Sequence, residues 1–248
     1  MPTPATRARL YLYAIVDNDA ALDSLPAGLD GKPVTLVSFG ELAAVVGEVE
    51  LSALNDTVSA AVIHEDIVEK ILEQRRVLPV RFGTIFSSRQ AMFDALDAHY
   101  PQLIADLARL DGQVELGLRV FWDPAVQVAD ATDDTPISQL TNIESPGIAY
   151  LRTRFAEAAQ ERTLRRMATA VEVFCRQMLE PLCTDLQVNV LLTAAIPVSA
   201  ACLLPRAAVD EVVAKVATLQ ASRTDLRFVC TGPWPPYHFI ADTRGKSS

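Results

Sequence analysis

Several absences limit what this chain can be. No apolar run reaches membrane-spanning length; the nearest, residues 188–204, is broken by Asn189, Thr193, Pro197 and Ser199 and reads as two strands. Positive charge is not in excess: the formal net charge is −9, which disfavours general binding to nucleic acid or to an anionic lipid surface. The short signatures of common catalysts are missing as well, with no HExxH, no GxSxG and no GxGxxG after a strand. Histidine is scarce, and His64, His99 and His238 stand in unrelated segments. Cys175, Cys183, Cys202 and Cys230 form no CxxC pair and lie in apolar patterns, which predicts reduced, buried thiols rather than a metal or disulfide framework. Met1-Pro2-Thr3-Pro4 opens a short polar tail without the apolar stretch of a secretory signal, so a cytoplasmic location is expected.

What is present is a chain of 248 residues, 50% hydrophobic, long enough for one large or two ordinary domains. Residues 10–16 form a continuous apolar and aromatic run that predicts a buried strand, ended by Asp17-Asn18. Residues 17–33 read as a loop with a short helical turn near 20–25. Residues 34–39 and 42–49 read as two strands joined in a tight hairpin at Gly40-Glu41. Asn55-Asp56 offers a helix cap, and Val58, Ala61, Val62, Ile67, Val68, Ile71 and Leu72 then recur at helical spacing up to Arg76. His64, Glu65, Asp66 and Glu69 fall on or beside the polar face of this helix. Adjacent residues on a helix point about a quarter turn apart, so solvated surface is favoured over an acid/base pair of His64 with Glu65.

Residues 76–88 join this helix to the next and form an elbow. Pro79 biases Leu78 towards an extended conformation and removes one backbone donor, which suits an edge strand or stiff connector. Gly83 permits a sharp change of direction, and Ser87 or Ser88 can cap the following helix. Arg81 stands inside this apolar run and, if buried, needs a partner, for which Glu69 and Glu115 are the candidates.

Phe93, Leu96, Tyr100, Leu103, Leu107 and Leu110 continue a helical stripe, with Pro101 predicting a kink or two abutting helices and Asp111-Gly112 closing it. Residues 114–122 read as a strand. Residues 125–143 are polar; Asp130, Asp133 and Asp134 lack the donor spacing and glycine of a calcium-binding loop, so solvation is expected there. Ser145-Pro146 begins a long helix to about Cys183, roughly 55 Å at about 1.5 Å per residue, part of which must project, bend or bridge the halves. Arg152, Arg154, Arg162, Arg165 and Arg166 lie on its outer face, laced with Glu157 and Glu161. Two strands around Pro197, a helix from Pro205 and a last strand at 225–231 complete the order β-α-β-β-α-β from Val114, the split βαβ arrangement of a ferredoxin-like sheet. The fold class is therefore α+β in two domains, 1–112 and 113–248.

Beyond the last strand, Gly232-Pro233-Trp234-Pro235-Pro236-Tyr237-His238-Phe239 is not expected to continue a sheet, because three prolines remove ladder donors. A stiff strap is predicted, with Trp234, Tyr237 and Phe239 folding back to seal the domain edge in preference to forming an exposed anchor. The glycine-lysine-serine of residues 245–247 lacks the upstream glycine and following helix of a phosphate loop.

Two of these stretches carry a resemblance. The run Val77-Leu78-Pro79-Val80-Arg81-Phe82-Gly83-Thr84-Ile85-Phe86-Ser87-Ser88 and the segment from Thr231 to Phe239 resemble the two hallmark motifs of the gas vesicle protein GvpF/GvpL family. Tyr11-Leu12-Tyr13-Ala14-Ile15-Val16 is similar to that family's opening strand, and Ala149-Tyr150-Leu151-Arg152 to the start of its long helix. The resemblance implies a modified ferredoxin-like C-terminal domain and a non-enzymatic accessory or minor structural protein of gas vesicle assembly. It implies contact with the small hydrophobic shell protein and with other accessory proteins, a cytoplasmic location associated with the vesicle, and no cofactor. Arg81, Phe82, Gly83, Trp234, Tyr237 and Phe239 are the structural or partner-contact candidates, with no catalytic residue and no metal ligand. The alternatives are a ferredoxin-like small-molecule-binding regulatory module and, behind it, an enzyme assembled from dispersed residues.

Overall fold

The structure, a computed structural model, describes residues 9–19, 22–122, 146–191 and 196–240. The polar segment 125–143 with its three aspartates, the Ser145 cap and the tails at 1–4 and 244–248 lie outside the described residues. The chain divides into two compact units, Met1–Glu115 with Pro233–Ser248, and Leu116–Gly232. Residues from Pro233 onwards thus group with the first unit, whereas the sequence reading placed them in the second domain.

The first unit is built on β1 (Arg9–Asp17), whose apolar run is buried from Tyr11 to Val16. It pairs antiparallel with β3 (Leu42–Val49), which pairs in turn with β2 (Val34–Phe39) across the expected hairpin. Gly40 takes φ +61° in that hairpin, and a Cβ there would run into the Tyr100 hydroxyl, which accepts the Glu41 N–H at 2.7 Å. On the other side of β1 lie β4 (Leu78–Pro79) and β5 (Ile85–Phe86), both antiparallel to it. Leu12 and Ala14 face consecutive partners, Val46 and Val45, so Tyr13 is an extra residue in a bulge. The extra residue resets the alternation and lets Leu12 and Ile15, three apart, line one pocket on the same face. In the loop before β2 the described residues 22–27 form no helical turn; a single turn occurs at Leu29–Gly31, where the Tyr13 hydroxyl accepts the Leu29 N–H at 2.9 Å.

Helix α1 (Thr57–Gln74) starts where expected, Asp56 accepting the Ser59 N–H at 3.2 Å. Its buried face is Ala60, His64, Ile67, Val68 and Ile71, while Val58 and Val62 are exposed. The predicted stripe is therefore out of phase in the first two turns, because a small residue and a histidine occupy the inward positions. Arg76 ties the end of α1 to β1, with two nitrogens each 2.6 Å from the Asp17 carboxylate. Pro101 separates α2 (Arg89–Asp97), capped by Ser88, from α3 (Tyr100–Arg109).

The second unit contains most of β6 (Gln113–Trp122) and β9 (Leu226–Trp234), with α4 (Pro146–Leu179), β7 (Asp185–Val190), β8 (Val198–Pro205) and α5 (Val209–Ser222). Its sheet has the order β7-β8-β6-β9. On α4 burial begins at Ala168 and continues through Val171, Cys175 and Leu179; no described side chain from Thr153 to Met167 is buried. On α5, Val212, Val216 and Leu219 face inward. All four cysteines are free; Cys175 and Cys202 are buried, Cys183 and Cys230 half-buried. The Cys202 thiol hydrogen-bonds to Cys183 and holds it below the usual thiol range, while burial pushes Cys175 up to about 11. β9 runs through Gly232 and Pro233 to Trp234, three residues past the predicted end. An edge strand has one unpaired side, so a proline is tolerated there.

Candidate functional site

The elbow and the strap meet around α1. The Val80 N–H donates to the Tyr13 carbonyl and the Leu12 N–H to the Thr84 carbonyl, each at 3.0 Å, so the elbow grips β1 on both sides of a turn. In that turn the Thr84 N–H donates to the Arg81 carbonyl at 3.3 Å, and Gly83 sits at φ +83°, the value a type II turn demands of its third residue. The Tyr11 hydroxyl accepts the Gly83 N–H at 2.9 Å and lies 3.0 Å from His64 Nδ1. The Val80 carbonyl also lies within hydrogen-bonding reach of the imidazole. A helix, a strand and the elbow are thereby joined through two side chains.

His64 is fully buried, contrary to the expected solvated position. Tyr11 and Phe82 meet its ring edge-on, at centroid distances of 5.7 and 5.9 Å, and Tyr13 stacks on it at 5.7 Å. Loss of hydration lowers its pKa to about 4, so the ring is neutral at pH 7. Glu65 is no partner for it: the neighbouring carboxylate accepts the Tyr237 hydroxyl at 3.1 Å, and burial raises its pKa against that hydrogen bond.

The strap is fastened at three points. Tyr237 reaches Glu65 as described. Glu115, buried on β6, accepts the His238 N–H at 3.0 Å, with the His238 ring Nδ1 at 2.6 Å. The Arg109 guanidinium donates to the Phe239 carbonyl and, at 3.0 Å, to the buried carboxylate of Asp106. Pro235, Pro236 and Phe239 are buried and Tyr237 half-buried, but Trp234 is 39% exposed. Trp234 therefore does not seal the edge as predicted; it precedes the packed part of the strap, on the exposed end of β9.

Arg81 is exposed, and among the described residues it has no ion pair with Glu69, Glu115 or any other carboxylate. The expected pairing fails for two reasons. The residues between β4 and β5 turn outward instead of running on as a strand, and Glu115 is already occupied by His238. Beside Arg81 a pocket of about 270 Å³ opens onto Leu12 and Ile15 of β1, Leu96 of α2 and Leu103 of α3, with Thr84 and His99 also lining it. Among the described residues no three His, Cys, Asp or Glu side chains converge as a metal site.

Phe82 and Gly83 are thus structural members of the His64 cluster, and Tyr237 and Phe239 fasten the strap. Sequence reasoning missed His64, Tyr11 and Tyr13. The available signal was the Ala60-His64-Ile67-Val68-Ile71 spacing, together with two tyrosines two apart on a buried strand.

The sequence profile described as gas vesicle synthesis protein GvpL/GvpF matches residues 9–241, from the first described strand to just past the strap. The chain belongs to this family. As a family member it is 26% identical over 244 residues to gas vesicle protein F2 of Halobacterium salinarum, spanning 95% of this chain and 93% of that one. It is equally 26% identical over 253 residues to gas vesicle protein L of a Streptomyces species, spanning 92% and 91%. Two crystal structures share its fold. GvpF from Microcystis aeruginosa superposes with a TM-score of 0.77 at 20% identity, covering 94% of this chain and 99% of that one. GvpF from Anabaena sp. PCC7120 gives 0.74 at 19% identity, covering 94% and 96%. Like them, this family member is a mixed α/β protein with two antiparallel sheets and helices. No helix among its described residues is long and apolar enough to cross a membrane.

Proposed function

We propose that this family member is an accessory or minor structural component of gas vesicle assembly that binds the small hydrophobic shell protein while the shell nucleates, without catalytic turnover. The observation that carries this reading is the family match from residue 9 to 241, which spans both motifs and both units. The surface supports it: Leu51, Val58, Val62, Phe155 and Trp234 are large apolar side chains left exposed, which suits a protein that holds an aggregation-prone partner. In this reading the protein works in the cytoplasm beside the growing vesicle and contacts other accessory proteins there. The second unit, with strands in the order β7-β8-β6-β9 and two helices, is read as a modified ferredoxin-like domain that serves as scaffold.

Co-expression of the tagged full chain with the shell protein tests the reading. Copurification of the two, together with loss or crippling of vesicle formation when the gene is deleted, is the expected result. Normal vesicles in the deletion strain and no copurifying shell protein would overturn it.

A further inference from the structure

We propose that the pocket beside the elbow is the docking point for the shell protein, which inserts one apolar side chain there and presents a neighbouring carboxylate to Arg81. This rests on the assembly role proposed above and names the surface that performs it. The whole pocket belongs to the first unit. Its walls are apolar side chains of β1, α2 and α3, brought to one face by the bulge at Tyr13, and it is partly open to solvent. At about 270 Å³ it falls below the roughly 300–1,000 Å³ of sites that enclose drug-sized ligands, and it suits one or two side chains instead.

The occupant's charge follows from the rim. Arg81, exposed on the pocket's rim, has no carboxylate partner among the described residues. In a chain of net charge −9, an exposed guanidinium without a partner beside an apolar cavity complements an acidic residue flanking an apolar anchor. The rim is also fixed in advance. The Tyr11 hydroxyl holds the Gly83 N–H, and the Thr84 N–H closes the turn on the Arg81 carbonyl, so little backbone ordering remains to oppose binding.

The test uses the tagged full chain co-expressed with the shell protein, in wild-type form and as Arg81→Glu, Ala95→Trp and Arg154→Glu. Ala95 lines the pocket and is exposed, so tryptophan there fills the mouth without replacing a core residue. Arg154 is an exposed arginine of α4, paired to Glu157, and serves as the control. Arg81→Glu and Ala95→Trp should each reduce the copurified shell protein by about ten-fold or more, as loss of an interface anchor does, with Arg154→Glu at the wild-type level. Melting temperatures check folding; Arg81→Glu, on a solvated turn, decides the matter if Ala95→Trp is destabilised. Folded variants that retain wild-type amounts of shell protein overturn the docking site and leave the assembly role standing. A wild-type chain that captures no shell protein overturns both. Native mass spectrometry that finds a small amphiphile leaving the pocket in Ala95→Trp, with shell protein binding unchanged, also overturns the docking site.

Discussion

At pH 7 the His64 ring is uncharged because its surroundings of Tyr11, Tyr13, Phe82 and Tyr237 offer aromatic edges and faces but no carboxylate to balance an imidazolium. Its pKa is about 4 in the folded chain against an ordinary 6.5. As pH falls below 6.5 the unfolded chain takes up a proton that the folded chain refuses until about pH 4, so stability declines across that window and the decline ends below it. The contribution is about 3 kcal/mol at roughly 1.4 kcal/mol per unit. Urea unfolding of wild type and His64→Phe between pH 7 and pH 4 measures it: the wild type should lose that much more than the variant. Equal slopes would show that His64 is charged or solvated. Tyr11→Phe strips the hydroxyl that serves both His64 Nδ1 and the Gly83 N–H, and leaves both without that partner. A loss of about 1–3 kcal/mol in the same assay is expected.

Among the elements, the strap shows how one motif holds residues of opposite character. Pro235, Pro236 and Phe239 are buried, and the strap donates hydrogen bonds to Glu65 and Glu115 and accepts one from Arg109, while Trp234 stays on the exposed end of β9. Phe239→Ala should therefore cost about 3–5 kcal/mol, as core truncations of aromatic residues do. Trp234→Ala should cost about 1 kcal/mol or less, within the range of surface substitutions. A thermal melt of both variants separates them, and a large loss with Trp234→Ala would mean that its ring is packed. At the start of α1, Asp56→Ala removes the cap to the Ser59 N–H and should lower the melting temperature in the same assay.

For the whole molecule, charge and apolar surface make opposite predictions about partner binding. The chain is acidic overall, while α4 carries Arg154, Arg162, Arg165 and Arg166, two of them already paired to Glu157 and Glu161. A complex held by apolar contact should survive a rise from low to moderate salt, because screening over about 10 Å weakens exposed charge pairs but not buried surface. The fraction of shell protein retained on the tagged chain across a salt series checks this. Steady release with rising salt would instead show that exposed charge pairs, of Arg81 or of the arginines of α4, hold the complex.

Local chemistry was legible in the sequence. The β2–β3 hairpin at Gly40-Glu41, the Asp56 and Ser88 caps, the break at Pro101 and the order of strands and helices after Val114 each depend on a few adjacent residues with strong conformational preferences. The hallmark motifs, being long and contiguous, were equally readable. Burial and pairing between distant residues were decided only by the tertiary structure. His64 turned inward because Tyr11 and Phe82, 53 residues before it and 18 after, supply a cage that no helical stripe records. Arg81 lost its expected partner because His238, 123 residues beyond Glu115, took that carboxylate. Pro233 joined a strand because β9 lies at the edge of its sheet, and Leu12 and Ile15 share a pocket because one extra residue at Tyr13 shifts the alternation. Each outcome depends on which groups the fold brings together and on the few hydrogen-bonding sites they must share, and a linear pattern carries no information about either.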